Sequence, residues 1–219
     1  MSRRLVPMAS RARAGREDDT RPARWTLRDE QRRLTRQKLA DAALELFGEV
    51  GYASATAEGI ARRAGATRTT FYLHYASKGD VVLELMRRLD SEIAKMFAAL
   101  DALGDDPSRA DVRAWLEDAV SFWERHRALI EANEQALHVE HPVAEYWWGG
   151  FERAAEAMPR YLARWQGDDR ERERVRIAAL MMQLERVYYF WLIKGAPARR
   201  EHVLDVLTDE WVALLGRRS

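Results

Sequence analysis

The sequence predicts an all-α chain of about nine helices, a small N-terminal three-helix unit followed by a larger helical body. Three observations predict it. Apolar residues recur at helical spacing from Leu39 almost to the end of the chain. The breaks between those runs are rich in Gly, Pro and Asp, as in GDDPS at 104–108, QGDD at 166–169 and KGAP at 194–197. No stretch alternates apolar and polar residues over a comparable length, so no strand pattern competes.

Residues 1–30 mix Gly, Pro, Ser and charge without a sustained period and are predicted to be a disordered basic arm. From Thr35 the run TRQKLADAALELFGEVGY places Leu39, Ala42, Ala43, Leu46, Phe47 and Val50 on one stripe, a first helix that Gly51 is placed to end. Thr56 caps a second helix with Ile60, Ala61 and Ala64 inward, Gly65 supplies a turn, and Thr67 caps a short third over RTTFYLHY. Ser77 caps a fourth beginning near Lys78, where Val81 to Leu100 keep the period for about six turns. The boundary between a domain at 31–78 and one at 79–219 therefore falls inside that helix rather than in a flexible linker. Further helices are expected from Val112 toward the HP pair at 141–142, then at about 143–165, 171–194 and 199–215.

With 47% apolar and 32% charged residues the composition is that of a globular protein. No apolar run approaches the roughly 18–20 residues of a membrane span, so no membrane partner is expected. The opening residues show no hydrophobic segment followed by a small-residue cleavage site, which predicts a cytoplasmic protein without a secretory signal. The absence of cysteine excludes disulfides, thiolate catalysis and thiolate-bound metals. A net charge of +1 hides an asymmetry: residues 1–40 hold twelve Arg and Lys against five Asp and Glu, whereas residues 81–219 hold twenty against twenty-five. A basic front on a mildly acidic body suits a protein that turns one end toward a polyanion, and the arm either lies along it or only solubilises the chain.

The segment TAEGIARRAGATRTTFYLHYASKGDVV is the most informative. Two short helices separated by a Gly-containing turn form a helix-turn-helix, whose second helix can enter the major groove of double-stranded DNA by its first residues. Thr67, Arg68, Thr69 and Thr70 supply donors there, with Arg68 reading guanine or meeting phosphate. Of Tyr72 and Tyr75, one is expected on backbone phosphate and the other as a brace. Lys78 with its helix amides can grip a phosphate, and Thr35 and Arg36 either do the same at the first helix or simply face solvent. His74 is expected to pack rather than to act as a switch.

The run LADAALELFGEVGYASATAEGIARRAGATRTTFYLHYASKGDVVLELM resembles the N-terminal domain of the TetR family of transcriptional regulators. The resemblance implies that Thr56 opens the second helix, that Thr70 and Tyr72 are the family's recognition-helix threonine and tyrosine, and that Lys78 opens the linking helix. Tyr75 stands where Phe is common, and Gly59 and Gly79 replace better helix formers, each costing up to about 1 kcal/mol. Further on, HPVAEYWW, LERVYYFWLIKG and HVLDVLTDEWVALL resemble the branch containing the mycobacterial repressor of ethionamide activation. That likeness implies a repressor dimer on a palindromic operator, with a long apolar ligand tunnel.

The larger domain is rich in rings, which can fill an ordinary core or line a pocket. Trp115, Phe122, Trp123, Trp147, Trp148, Phe151 and Tyr188, with the flexible Met181 and Met182, are the candidates for a small hydrophobic or aromatic effector. Asn133, Gln135 and Gln183, or Glu185 with Arg186, are candidates to orient it. VRIAALMMQLERVYYFWLI at 175–193 is apolar around much of its circumference, which fits a helix covered by the sensor core on one side and a homodimer partner on the other, or the central helix of a monomer. Trp191, Val203, Leu204, Leu207 and Trp211 are the candidate dimer contacts.

Enzyme readings find little support. His138 and His141 flank Glu140, but Pro142 interrupts the helix that would hold them, so no metal site is expected. Neither a phosphate-cradling glycine loop nor a nucleophile elbow is present, and no cofactor is expected. A constitutive DNA-binding protein whose larger domain only dimerises is the main alternative to a sensor.

Overall fold

Helix α1 spans Leu27–Ser54, beginning at a reciprocal cap in which Thr26 Oγ accepts from Asp29 N at 3.2 Å and the Asp29 carboxylate accepts from Thr26 N at 3.1 Å. The computed structural model describes residues 26–216; the part of the basic arm at 1–25 lies outside the described residues. The arm was expected to reach residue 30 and the first helix to start at Thr35, so both expectations are corrected by this cap. The first two turns of α1 are polar and carry no apolar stripe, which is why periodicity started the helix late. Gly51, with φ +78°, redirects the chain within α1 and leaves one further turn that carries the buried Tyr52.

Helices α2 (Ala57–Arg63) and α3 (Arg68–His74) follow, capped by Thr56 and Thr67 and separated by Gly65 at φ +67°. Leu39, Ala43, Phe47, Ile60, Phe71 and Tyr75 close a small core among them, each at most 3% exposed. Burying one such side chain contributes roughly 1.5–3 kcal/mol. Ser77 and Asp80 form a second reciprocal cap on α4 (Lys78–Ala102), the helix that leaves this unit and enters the larger one.

The larger unit contains α5 (Arg109–Arg125), α6 (Arg127–Leu137), α7 (His141–Glu156), α8 (Pro159–Ala163), α9 (Gly167–Tyr188) with a π-helical extension over Tyr189–Ile193, and α10 (Arg200–Leu215). Ten helices thus stand among the described residues where about nine were expected. One expected helix divides at His126, where neither Gly nor Pro signals the break; another divides before Pro159, which opens α8. Asp101, buried in α4, accepts from the backbone amides of Arg160 and Tyr161 at 2.9 and 2.8 Å and holds α8 in place. No helix among the described residues is long and apolar enough to cross a membrane.

Helix α10 lies on α5 through Trp211, whose ring centre is 5.0 Å from that of Trp115, and through ion pairs from Arg109 and Arg113 to Asp205. Leu204, Leu207 and Trp211 are therefore core residues of their own chain, at most 2% exposed, and the expectation that they meet a partner is corrected. Trp191 is also committed at home, its indole donating to the Ala198 carbonyl at 3.1 Å, while Val203 is half-buried against the core. The large apolar residues that face outward on α9 and its extension and on α10, among the described residues, are Val175, Phe190 and Val206.

Candidate functional site

The short helix α3 is anchored by one face and offers the other. Phe71 is fully buried, and its ring packs edge-on against Tyr72. Thr67 Oγ accepts from Thr70 N at 3.1 Å, which fixes the helix start and ties up both hydroxyls 2.9 Å apart. Arg68 and Thr69 are exposed, Tyr72 is half-exposed, and the Arg68 guanidinium hovers 5.6 Å from the Tyr72 ring centre. Leu73, not singled out in the sequence, is also largely exposed beside Tyr72. Thr56 Oγ caps α2 by accepting from Gly59 N at 3.0 Å.

Four expected DNA contacts are occupied inside the protein. Tyr75 is 2% exposed, with its hydroxyl 3.0 Å from the Arg36 carbonyl and 2.9 Å from Glu84; burial beside that carboxylate raises its pKa. Tyr75 is thus the brace and Tyr72 the outward tyrosine. Arg36 pairs with Glu84, donates to the His74 carbonyl and stacks on Tyr75 at 4.2 Å, so it holds the small domain together instead of facing a phosphate. Thr35 spends its hydroxyl on the Gln31 carbonyl at 2.9 Å. Desolvation, followed by the positive charges of Arg32 and Arg36, lowers the His74 pKa, in keeping with a packed and neutral imidazole.

Lys78 is the fourth. Its ammonium turns back onto the end of α1, donating to the carbonyls of Tyr52 at 2.7 Å and Ala55 at 2.9 Å and lying over the Tyr52 ring at 4.3 Å. Burial lowers the Lys78 pKa, with Glu140 opposing. The neighbouring Gly79 has a packing reason that its helix propensity concealed: a Cβ there would lie 2.7 Å from Glu140 Cδ. Glu140 in turn accepts from the Tyr52 hydroxyl at 2.7 Å.

Within the larger unit, α4, α5, α6, α7 and α9 enclose a chamber of about 260 Å³. Phe122, Trp123, Trp147, Phe151 and Met181 line it as expected. Helix α4 contributes Met86, Leu89, Ile93, Met96 and Phe97, which the sequence offered only as an ordinary apolar stripe. Asp90 within that stripe was the available signal, because an acidic residue on a core-facing helix face requires a partner. It finds the Tyr146 hydroxyl at 2.5 Å and Arg153 at 3.7 Å, two further lining residues absent from the expectation.

Six expected effector contacts lie elsewhere. Trp115 donates its indole N–H to the Met96 carbonyl at 2.8 Å and packs in the core. Tyr188 is fully buried behind Trp123, donating to the Leu116 carbonyl at 2.9 Å. Trp148 is 60% exposed, Gln183 is exposed and Met182 half-buried off the chamber wall. Asn133 is buried away from the lining, with its Oδ1 accepting no hydrogen bond among the described residues. The polar orienting group that does reach the chamber is Glu185. Both its oxygens accept from the Trp147 indole, at 2.9 and 3.0 Å, and burial, against that hydrogen bond, pushes its pKa up to about 7. No group of three or more His, Asp or Glu among the described residues is placed to hold a metal.

Residues 39–85 match the family described as bacterial regulatory proteins, tetR family. The HTH-type transcriptional regulator AcrR of Shigella flexneri is 36% identical over 101 residues, 44% of this chain and 46% of that one. EthR of Mycolicibacterium smegmatis, another HTH-type regulator, is 30% identical over 102 residues, 45% of each chain. The chain thus spans about half the length of the curated relatives it matches. Among solved structures, Thermus thermophilus FadR, a TetR-family transcriptional repressor in complex with lauroyl-CoA, superposes with a TM-score of 0.58 at 22% identity, covering 84% of this chain and 95% of that one. This last likeness is one of fold.

Proposed function

The chain belongs to the tetR family of bacterial regulatory proteins, and we propose that it acts in the cytoplasm as a dimeric repressor of transcription, released from a palindromic operator by a small apolar effector. The observation that carries this reading is the double role of α4: it opens against the end of α1 through Lys78 and, two turns later, walls the chamber with Met86, Leu89, Ile93 and Phe97. A ligand that shifts α4 shifts the helix-turn-helix attached to it.

Two copies would present their α3 helices to successive major grooves, about 34–36 Å apart, with Arg68, Thr69 and Tyr72 outward. The outward apolar residues Val175, Phe190 and Val206 support pairing of α9 and α10 with the same helices of a second copy. Release requires that the ligand prefer the non-operator arrangement; a swing from 99:1 to 1:99 takes about 5.5 kcal/mol of differential binding. The Thermus protein is in complex with lauroyl-CoA; the present lining is mostly apolar and carries two carboxylates, Asp90 and Glu185, which supports an apolar body over an anionic one.

The test is enrichment of genomic DNA by the purified protein, repeated with small-molecule extract. A palindromic site lost in the presence of extract supports the sensor; a site insensitive to every extract and apolar compound moves the reading to constitutive regulation, and no enriched site removes the DNA-binding assignment.

A further inference from the structure

The polar lining of the chamber is unevenly charged. Asp90 and Arg153 lie 3.7 Å apart, and the same guanidinium stacks on Tyr146 at 4.3 Å, so that anion and cation offset each other. Among the described residues the neutral Trp147 indole is the one hydrogen-bond donor to Glu185, and Arg186, next along α9, turns away to Glu134 at 2.7 Å. With Glu185 ionised, the wall carries two negative charges and one positive. The remaining space is bounded by rings, including Trp123, Phe97 and Phe151, whose faces attract cations.

We propose that the chamber takes an amphipathic amine, whose apolar body packs among these rings while its protonated nitrogen donates to the Glu185 carboxylate. The proposal rests on the chamber being the effector site. A bound ammonium provides the charge partner the folded chain withholds, and it restores the ionised form of a carboxyl that burial otherwise disfavours. A neutral ligand would leave Glu185 as it is, and an anionic one would add a second uncompensated negative charge beside it.

Tryptophan fluorescence titration of the full chain with phenylbutylamine, phenylbutanol and phenylbutyrate separates these cases. At about pH 8 the amine is expected to bind at least about tenfold more tightly than the alcohol, with the carboxylate weakest. Glu185→Gln should bring the amine's affinity to within about twofold of the alcohol's in the same variant. A second readout needs no variant: the advantage should shrink as pH falls from about 8 to about 6 and Glu185 takes up a proton. The charged groups around Glu185 are Glu134 and Arg186 beside it and Asp90 and Arg153 on the shared wall, none of them a histidine. Saturable binding with equal affinities, or a preference for phenylbutyrate, would overturn the proposal and leave the effector chamber standing. Saturable quenching by none of the three would overturn both.

Discussion

The Tyr52 hydroxyl donates to Glu140 across 2.7 Å and so joins the last turn of α1, in the N-terminal helical unit, to the corner between α6 and α7. Lys78 donates to the carbonyl of Tyr52 in the same turn, and Gly79 leaves the space that Glu140 occupies. Helix α4 starts in this cluster and lines the chamber further on. The cluster predicts an unusual sign for a helix substitution. Gly79→Ala improves helix propensity by about 1 kcal/mol, but its Cβ must push the Glu140 side chain off Tyr52. Urea unfolding should find Gly79→Ala neutral or destabilising alone, yet stabilising by about 1 kcal/mol when added to Glu140→Ala. Equal effects in both backgrounds would mean that the two residues do not compete.

Arg68 and Lys78 should separate cleanly. Arg68→Ala leaves every described internal contact of the small core in place and should weaken operator binding, with relaxed sequence preference if it reads a base and a uniform loss if it meets phosphate. Lys78→Met removes donors from the carbonyls of Tyr52 and Ala55 and should lower stability by about 1–2 kcal/mol. Its operator affinity, compared at matched folded fraction, should keep the same salt dependence. A reduced salt slope for Lys78→Met would return that lysine to the phosphate contacts.

Glu185 links stability to pH with a definite sign. Its folded pKa, about 7, stands above the ordinary value of 4.5, so the folded state holds a proton that the unfolded chain has released. This group's contribution to stability is therefore present below about 4.5 and lost as pH rises through about 7. Glu185→Gln should flatten that decline and gain on the order of 2 kcal/mol above neutrality. Thermal melts of both proteins across this window test it; parallel curves would show that the carboxyl is solvated.

The outward residues of α9 and α10 make a prediction about assembly. Phe190→Asp with Val206→Arg places charge on exposed positions and should leave the monomer fold intact while halving the mass seen by sedimentation. The core residue Trp211 behaves differently: Trp211→Ala should cost about 3–5 kcal/mol and unfold the domain regardless of assembly. A double variant that sediments as the unmodified protein would place the dimer contact elsewhere.

Periodicity, caps and the Gly65 turn were enough to read the helix-turn-helix and most of the other helices from the amino-acid order, because these signals act over three or four neighbouring residues. Thr56, Thr67, Ser77 and Phe71 behave as local rules require. The aromatic residues, with Met181, also pointed to a chamber and to five of its lining side chains. What local pattern left open was which side of each helix faces what. Tyr72 and Tyr75 have the same chemistry, and only the packing of α3 on Glu84 and Arg36 sends one inward; Trp147 and Trp148 are adjacent, and only the seat of α7 against α9 turns the first toward Glu185 and the second toward solvent. Lys78, Gly79 and Glu140 acquire their roles from residues 23 to 88 positions away in the chain or from direct contact across the two units. Such contacts depend on how helices dock, a property of side-chain volume and long-range complementarity that no short window of sequence contains.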